Sequence, residues 1–307
     1  MANQSNFHAF CLQKSKKNNI LNYMEVFYTL LYAFLIGFYN VFKKISLRKS
    51  GESVVLILFT TTAFLLSLIW IPFGVSIPLK FIPIFALKGF LLALSWYLVL
   101  KVLKDVDISV VTVTNLLSAV LSFVLAIIIF NEKAGVWQIV GSAIVLLGVA
   151  GINLINRKGS GKTTPLQLIM LIISALITTS SNIIDKYTTT YLNSFQVQFW
   201  FLLFAAAFSW IFFSIDCIKQ KQFLIKKTDL KNYWIYIVGF LLFIGDFMLF
   251  KAYAVPGSQM LTISVLAKFK NIVGILAGII IFKEKQVWKK ILLSLLVVAG
   301  VILISVF

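Results

Sequence analysis

GFLLALSWYLVLK at residues 89–101 and GFLLFIGDFMLFK at residues 239–251 open on the same four residues, close on the same lysine and lie 150 positions apart. Apolar segments resemble one another by composition alone, but a shared glycine and a shared lysine at fixed spacing do not follow from composition. Further correspondences point the same way. Ile129-Phe130-Asn131-Glu132-Lys133 recurs as Ile281-Phe282-Lys283-Glu284-Lys285, followed in turn by Val136-Trp137 and Val287-Trp288. Asn40 and Lys44 recur as Asn182 and Lys186, four residues apart in each case and therefore on one helix face. The chain is read as a duplication.

The environment of the two copies follows from composition. Of the 307 residues 60% are hydrophobic and 12% charged, and the mean hydropathy is +0.98; a water-soluble domain carries about 25% charged residues. A span of the hydrocarbon core takes about 20 apolar residues, which places spans near 22–42, 53–71, 82–100, 107–130, 135–155, 165–186, 194–215, 233–251, 256–282 and 287–307. Runs of this length satisfy their backbone hydrogen bonds internally as helices, whereas barrel strands would be shorter and alternating. Trp70, Trp137, Trp234 and Trp288 fall at span ends, where an indole sits with its ring inward and its N–H among headgroups. An odd number of spans per copy inserts the copies in opposite orientations. The expected fold is an all-α integral membrane protein of ten transmembrane helices arranged as two inverted five-helix repeats. A polar tail covers 1–20, the first repeat 21–157, a linker 158–164 and the second repeat 165–307.

Several functions are disfavoured. His8 is the single histidine and Cys11 and Cys217 are isolated, so neither a metal site nor a disulfide framework is indicated. No cofactor is expected, and without a nucleophile–base set or paired carboxylates the chain does not read as an enzyme. Gly161-Lys162-Thr163 suggests a phosphate loop, but the earlier glycine it needs would fall at Asn156 and no strand precedes it, so the segment reads as a linker. The net charge of +18 is scattered through short loops, which fits anionic lipid headgroups and not nucleic acid.

The chain resembles the drug/metabolite transporter superfamily, in the ten-span branch whose repeat is the EamA domain. The resemblance covers roughly residues 22–307. It rests on the acidic turns at Glu132 and Glu284, the continuation Gln138-Ile139-Val140-Gly141 with Gly148-Val149, and the short connection between spans three and four. It implies a metabolite carrier working by alternating access, with a pathway lined by spans one, three, four, six, eight and nine. Members often carry a proline early in spans four and nine; this chain has Ala119 and Asn271 at about those positions. The resemblance also implies cytoplasmic termini, whereas most of the 28 Lys and Arg residues fall in odd-numbered loops, which by the positive-inside tendency places the termini outside.

A charge at membrane depth costs a few kcal/mol unless it faces protein or water, roughly 2.5–3.5 at a helix centre. Asp246 in span eight and Lys268 and Lys270 in span nine are therefore candidates for the solute site, with Asp246 and Lys270 as a coupling or ion pair; a static staple between the two spans is the alternative. Two helical residues are rotated by about 200°, so one of the lysines should face the cavity. Lys268, which shares a face with Ser264 and Asn271, is preferred, while Lys270 shares a small-residue stripe with Gly274 and Gly278 that reads as a helix contact. Trp96 occupies the position equivalent to Asp246 and serves either as an aromatic wall for a cation or as packing. Asn40, Asn182, Tyr32 and, more weakly, Tyr28 and Asp185 add polar groups on spans one and six. The expected function is a secondary transporter of a small polar metabolite such as an amino acid or organic anion, possible coupling to protons or exchange running through Asp246. The alternative is a flippase of a lipid-linked headgroup or an assembly subunit. The expected partners are a small-molecule solute and membrane lipids, without nucleic acid, the protein being a monomer or homodimer in the plasma membrane. The excess of buried lysines over carboxylates favours an anionic or zwitterionic solute.

Overall fold

The computed structural model describes residues 2–118, 120–121, 124, 135–157, 163–256, 258, 263, 266–283 and 287–306, and of residues 2–22, 153, 156–157, 279, 287 and 304–306 the backbone only. The described residues are helical and contain no strand. We number the helices α1 (Ala2–Ser46), α2 (Glu52–Ser67, continued by a 3₁₀ segment Leu68–Phe73), α3 (Ile82–Asp105), α4 (Ile108–Asn115), α5 (Val136–Arg157), α6 (Pro165–Tyr191), α7 (Ser194–Gln220), α8 (Tyr233–Ala254), α9 (Phe269–Ile280) and α10 (Val287–Val306). Local chemistry sets several starts. At α6 the Thr164 hydroxyl accepts from the Gln167 N–H at 3.2 Å, the Gln167 side chain accepts from the Thr164 N–H at 2.9 Å, and Pro165 occupies the first helical position.

Six segments among the described residues are long and apolar enough to cross a membrane: Tyr23–Ser46, Glu52–Phe73, Leu79–Asp105, Pro165–Tyr191, Ser194–Gln220 and Tyr233–Ala254. Val136–Ile152 and Phe269–Gly278 are shorter apolar helices. Two helix ends differ from the hydropathy reading. Lys43 and Lys44, which hydropathy assigns to a loop, belong to α1, and Lys101 and Lys104 belong to α3. Hydropathy ends a span at the first lysine, whereas the hydrogen-bond ladder continues for as long as the lysine finds an acceptor or a ring.

The packing repeats with the sequence. Exchanging each helix for the one five places along maps the α1–α8 contact onto α6–α3, α3–α7 onto α8–α2, and α1–α9 onto α6–α4. The pairs α2–α7, α4–α9 and α5–α10 map onto themselves. The two copies therefore interlock, each lending helices to the other's neighbourhood. The repeated glycines of the opening stretch show why. A Cβ on Gly89 would lie 2.8 Å from the backbone nitrogen of Ala205 on α7, and one on Gly239 would lie 2.7 Å from the carbonyl of Phe59 on α2. Each glycine is the point where a repeat's third helix meets the other repeat's second helix backbone to backbone, the close approach that small residues permit in membranes. The closing lysines are also equivalent: Lys101 lies 4.2 Å over the Tyr97 ring and Lys251 lies 5.3 Å over the Phe247 ring, each one turn back on its own helix.

Candidate transport cavity

A cavity of about 130 Å³ opens where α1, α3, α6, α8 and the start of α9 meet, with contributions from both repeats. Tyr32, Asn40 and Lys43 come from α1, Lys88, Ser95 and Trp96 from α3, Thr178, Asn182 and Asp185 from α6, Asp246 from α8, and Lys270 and Asn271 from α9. A neighbouring space of about 40 Å³ shares Tyr32, Asn182, Lys270 and Asn271 with it and adds Ser118, Tyr253 and Lys268. Asn40 and Asn182, equivalent in the two copies, thus line the same cavity, as do Trp96 and Asp246.

The charges in the cavity are not arranged in simple pairs. Lys88, 1% exposed, forms an ion pair with Asp185, 6% exposed, joining α3 of one repeat to α6 of the other. The Lys88 ammonium also lies 4.1 Å over the Phe201 ring and 4.7 Å over the Phe250 ring. Lys270 donates to the Tyr32 hydroxyl at 3.0 Å, and Lys268 donates to the Ser118 hydroxyl at 2.6 Å. Lys43, 2% exposed, sits 4.4 Å over the Tyr39 ring. Among the described residues no carboxylate lies within 4.0 Å of Lys43, Lys268 or Lys270, and no cation lies within 4.0 Å of Asp246. Asp246 and Lys270 therefore share the cavity without touching; the direct cavity ion pair is Lys88 with Asp185. Tyr39 lines the same cavity, and its buried hydroxyl has no hydrogen-bond partner among the described residues.

Lys268 and Lys270 both reach this region, although an uninterrupted helix would turn them apart. The reason lies in the backbone. Residues 267–268 form a turn ahead of α9, the Asn271 N–H bonds the Lys268 carbonyl at 2.9 Å, and the Asn271 side chain donates to that carbonyl at 3.2 Å. The corresponding place in the first repeat is also irregular: the Leu116 N–H bonds the Val113 carbonyl at 3.0 Å, and Ser118 donates to the Asn115 carbonyl at 2.7 Å. Side chains thus satisfy backbone carbonyls that a regular ladder would have occupied, the condition for irregular backbone at membrane depth. These turns form with no proline nearby. Lys270 points to the cavity while Gly274, one turn on, meets α4, where an added Cβ would lie 2.5 Å from the Thr112 methyl carbon. The stripe read as a helix contact holds for Gly274, not for Lys270. Trp96 packs edge-on against Phe59 at 5.6 Å while also lining the cavity, so its packing and lining roles coexist.

Sequence reasoning does not single out Lys43 or Ser95 as site residues, and it gives Lys88, a charge inside a span but near its end, and Asp185 little weight. Lys43 is hidden by its place beside Lys44 at an expected span end; the aromatic Tyr39 one turn earlier is the available signal. Glu132, Glu284, Ala119 and Ser264 lie outside the described residues.

The two copies agree with the relationships of the chain to known proteins. The EamA-like transporter family model matches the chain twice, over residues 23–154 and 165–306, once per repeat. The chain belongs to the EamA-like transporter family, and it is an integral, multi-pass membrane protein. Among 28 matching chains of solved structures, one crystal structure superposes with a TM-score of 0.63 over 91% of this chain and 96% of that chain. At 13% identity that likeness speaks for the fold alone. No curated protein matches the chain significantly.

Proposed function

We propose that this protein is a secondary carrier of a small anionic or zwitterionic metabolite, such as an organic acid or amino acid, moved by alternating access between two oppositely inserted five-span repeats. The observation that carries the reading is the uncompensated charge in the inter-repeat cavity. Lys88 and Asp185 cancel each other, which leaves Lys43 and Lys270, with Lys268 next door, facing the single remaining carboxylate of Asp246 among the described lining residues. Ammonium groups held away from water without a counter-ion are costly, and a solute carboxylate or phosphate is the missing counter-ion. Asn40 and Asn182 supply amide donors from the two sides. Asp246 serves the amino group of a zwitterion or takes up a proton, which would couple transport to a proton gradient. Rocking one repeat against the other around this fixed site then exposes it to alternate sides.

The test is flux of small carboxylates, amino acids and sugar phosphates into liposomes carrying the purified protein. Saturable uptake of an anionic or zwitterionic solute, weakened about tenfold or more in apparent affinity by Lys43→Met or Lys270→Met, is the expected result. Uptake of none of these classes above empty vesicles would overturn the reading.

A further inference from the structure

Lys44 and Lys186 are repeat-related lysines, each one turn beyond the equivalent asparagines Asn40 and Asn182. Their contacts are also repeat-related. Lys44 donates to the carbonyls of Leu103 at 2.5 Å and Val106 at 2.7 Å, at the connection between α3 and α4. Lys186 donates to the carbonyl of Ser258 at 3.0 Å and to the Ser258 hydroxyl at 2.6 Å, at the connection between α8 and α9. The Ser258 hydroxyl in turn donates to the carbonyl of Tyr253 at 2.9 Å. Leu103 and Tyr253 are equivalent at the spacing of 150 that relates α3 to α8, and Val106 and Ser258 at the spacing of 152 that relates the two acidic turns. The second connection is thus two residues longer, and the serine hydroxyl bridges the added length so that the lysine still reaches both carbonyls.

We propose that Lys44 and Lys186 are two equivalent latches, one at each end of the cavity, and that the cavity opens to a given side when the latch on that side releases. This rests on the carrier reading and on the opposite insertion of the two repeats. Each lysine stands at the C-terminal part of a cavity-lining helix, α1 or α6, immediately beyond Lys43 or Asp185 of the cavity wall. Each holds that helix to the connection that precedes the break in the helical ladder of its own repeat, at Leu116 or at Ala267–Lys268. The lysine therefore connects the asparagine one turn inside the cavity to the turn that must shift for the wall to open. In oppositely inserted repeats the two latches face opposite sides, so one chemistry, used twice, secures both mouths. A lysine suits the task because its ammonium finds carbonyl acceptors in the closed arrangement and water in the open one.

The experiment follows cavity accessibility and needs no knowledge of the solute. In a background of Cys11→Ser and Cys217→Ser, Thr178→Cys places a thiol in the cavity wall, to be labelled by a membrane-impermeant maleimide in vesicles of either orientation. Lys44→Met should raise labelling roughly tenfold or more from one face, and Lys186→Met should do so from the opposite face. Lys44→Arg and Lys186→Arg, which retain donors, should return labelling toward the parental level. Increases from the same face in both variants, no increase in either, or failure of the arginines to restore closure would each overturn the latches. The solute assignment is separable: flux with unchanged labelling removes the latches alone, whereas opposite-face labelling without flux leaves the latches standing and removes the solute class.

Discussion

Replacing Lys88 by methionine tests the charge balance on which the cavity reading depends. The Lys88 side chain is 1% exposed, that of its partner Asp185 is 6% exposed, and the ammonium is flanked by the rings of Phe201 and Phe250. Methionine nearly fills the vacated volume and keeps a favourable sulfur–ring contact of roughly 0.3–1.5 kcal/mol, so the loss is dominated by Asp185, left buried without its cation. Breaking a buried pair from one side costs about 3–5 kcal/mol, limited at the upper end because the carboxyl can bind a proton instead of staying ionised. Lys88→Met with Asp185→Asn removes the orphaned charge and should restore all but about 1–2 kcal/mol. The double variant should therefore be more stable than Lys88→Met alone by about 1–4 kcal/mol. Unfolding free energies in mixed detergent micelles, followed by helical circular dichroism for the two single variants and the double variant, measure this difference. If Lys88→Met lies within about 1 kcal/mol of the parent, or if the two single losses merely add, Asp185 is not held by Lys88 in a dry site. The cancellation that leaves Lys43 and Lys270 as the uncompensated cations of the cavity would then be wrong.

Gly89→Ala and Gly239→Ala should each destabilise the protein by about 1–3 kcal/mol in the same assay, because the new methyl meets backbone of α7 or α2. Gly51, with nothing within 4 Å of an added Cβ, should tolerate alanine with a change below about 1 kcal/mol; equal effects at all three would mean that backbone entropy and not close approach governs these glycines. Lys104→Ala breaks the Glu52 ion pair at 3.0 Å, whose partners are 49% and 26% exposed, and should change stability by no more than about 1 kcal/mol. A loss matching that of Lys88→Met would show that exposure does not separate the two pairs.

Much of the lining of the candidate cavity is legible in the amino-acid sequence. Asp246, Trp96, Asn40, Asn182, Tyr32, Lys270 and Asn271 stand out because polar groups at membrane depth must face protein or water, and all of them line one cavity, with Lys268 in the space beside it. What they contact is not legible in the same way. Lys270 finds Tyr32 on α1, and Lys88 on α3 finds Asp185 on α6. Those partners are distant in sequence, and no spacing rule connects them. Lys43 escapes notice because hydropathy treats a lysine at a span end as a loop residue, while the folded chain carries it on into the bundle.

The sequence by itself determined that the chain is helical, belongs in a membrane and consists of one unit written twice, since segment length and apolar content depend only on the local needs of backbone and bilayer, and the repeated Gly, Glu and Lys positions emerge from comparing the chain with itself. Tertiary structure alone decided that the two units interlock and that both breaks in the helical ladder, at Leu116 and at Ala267–Lys268, form without proline. It likewise decided which buried charges cancel. Interlocking and charge pairing depend on distances between residues far apart along the chain, and a one-dimensional pattern holds no record of those distances until the helices have packed.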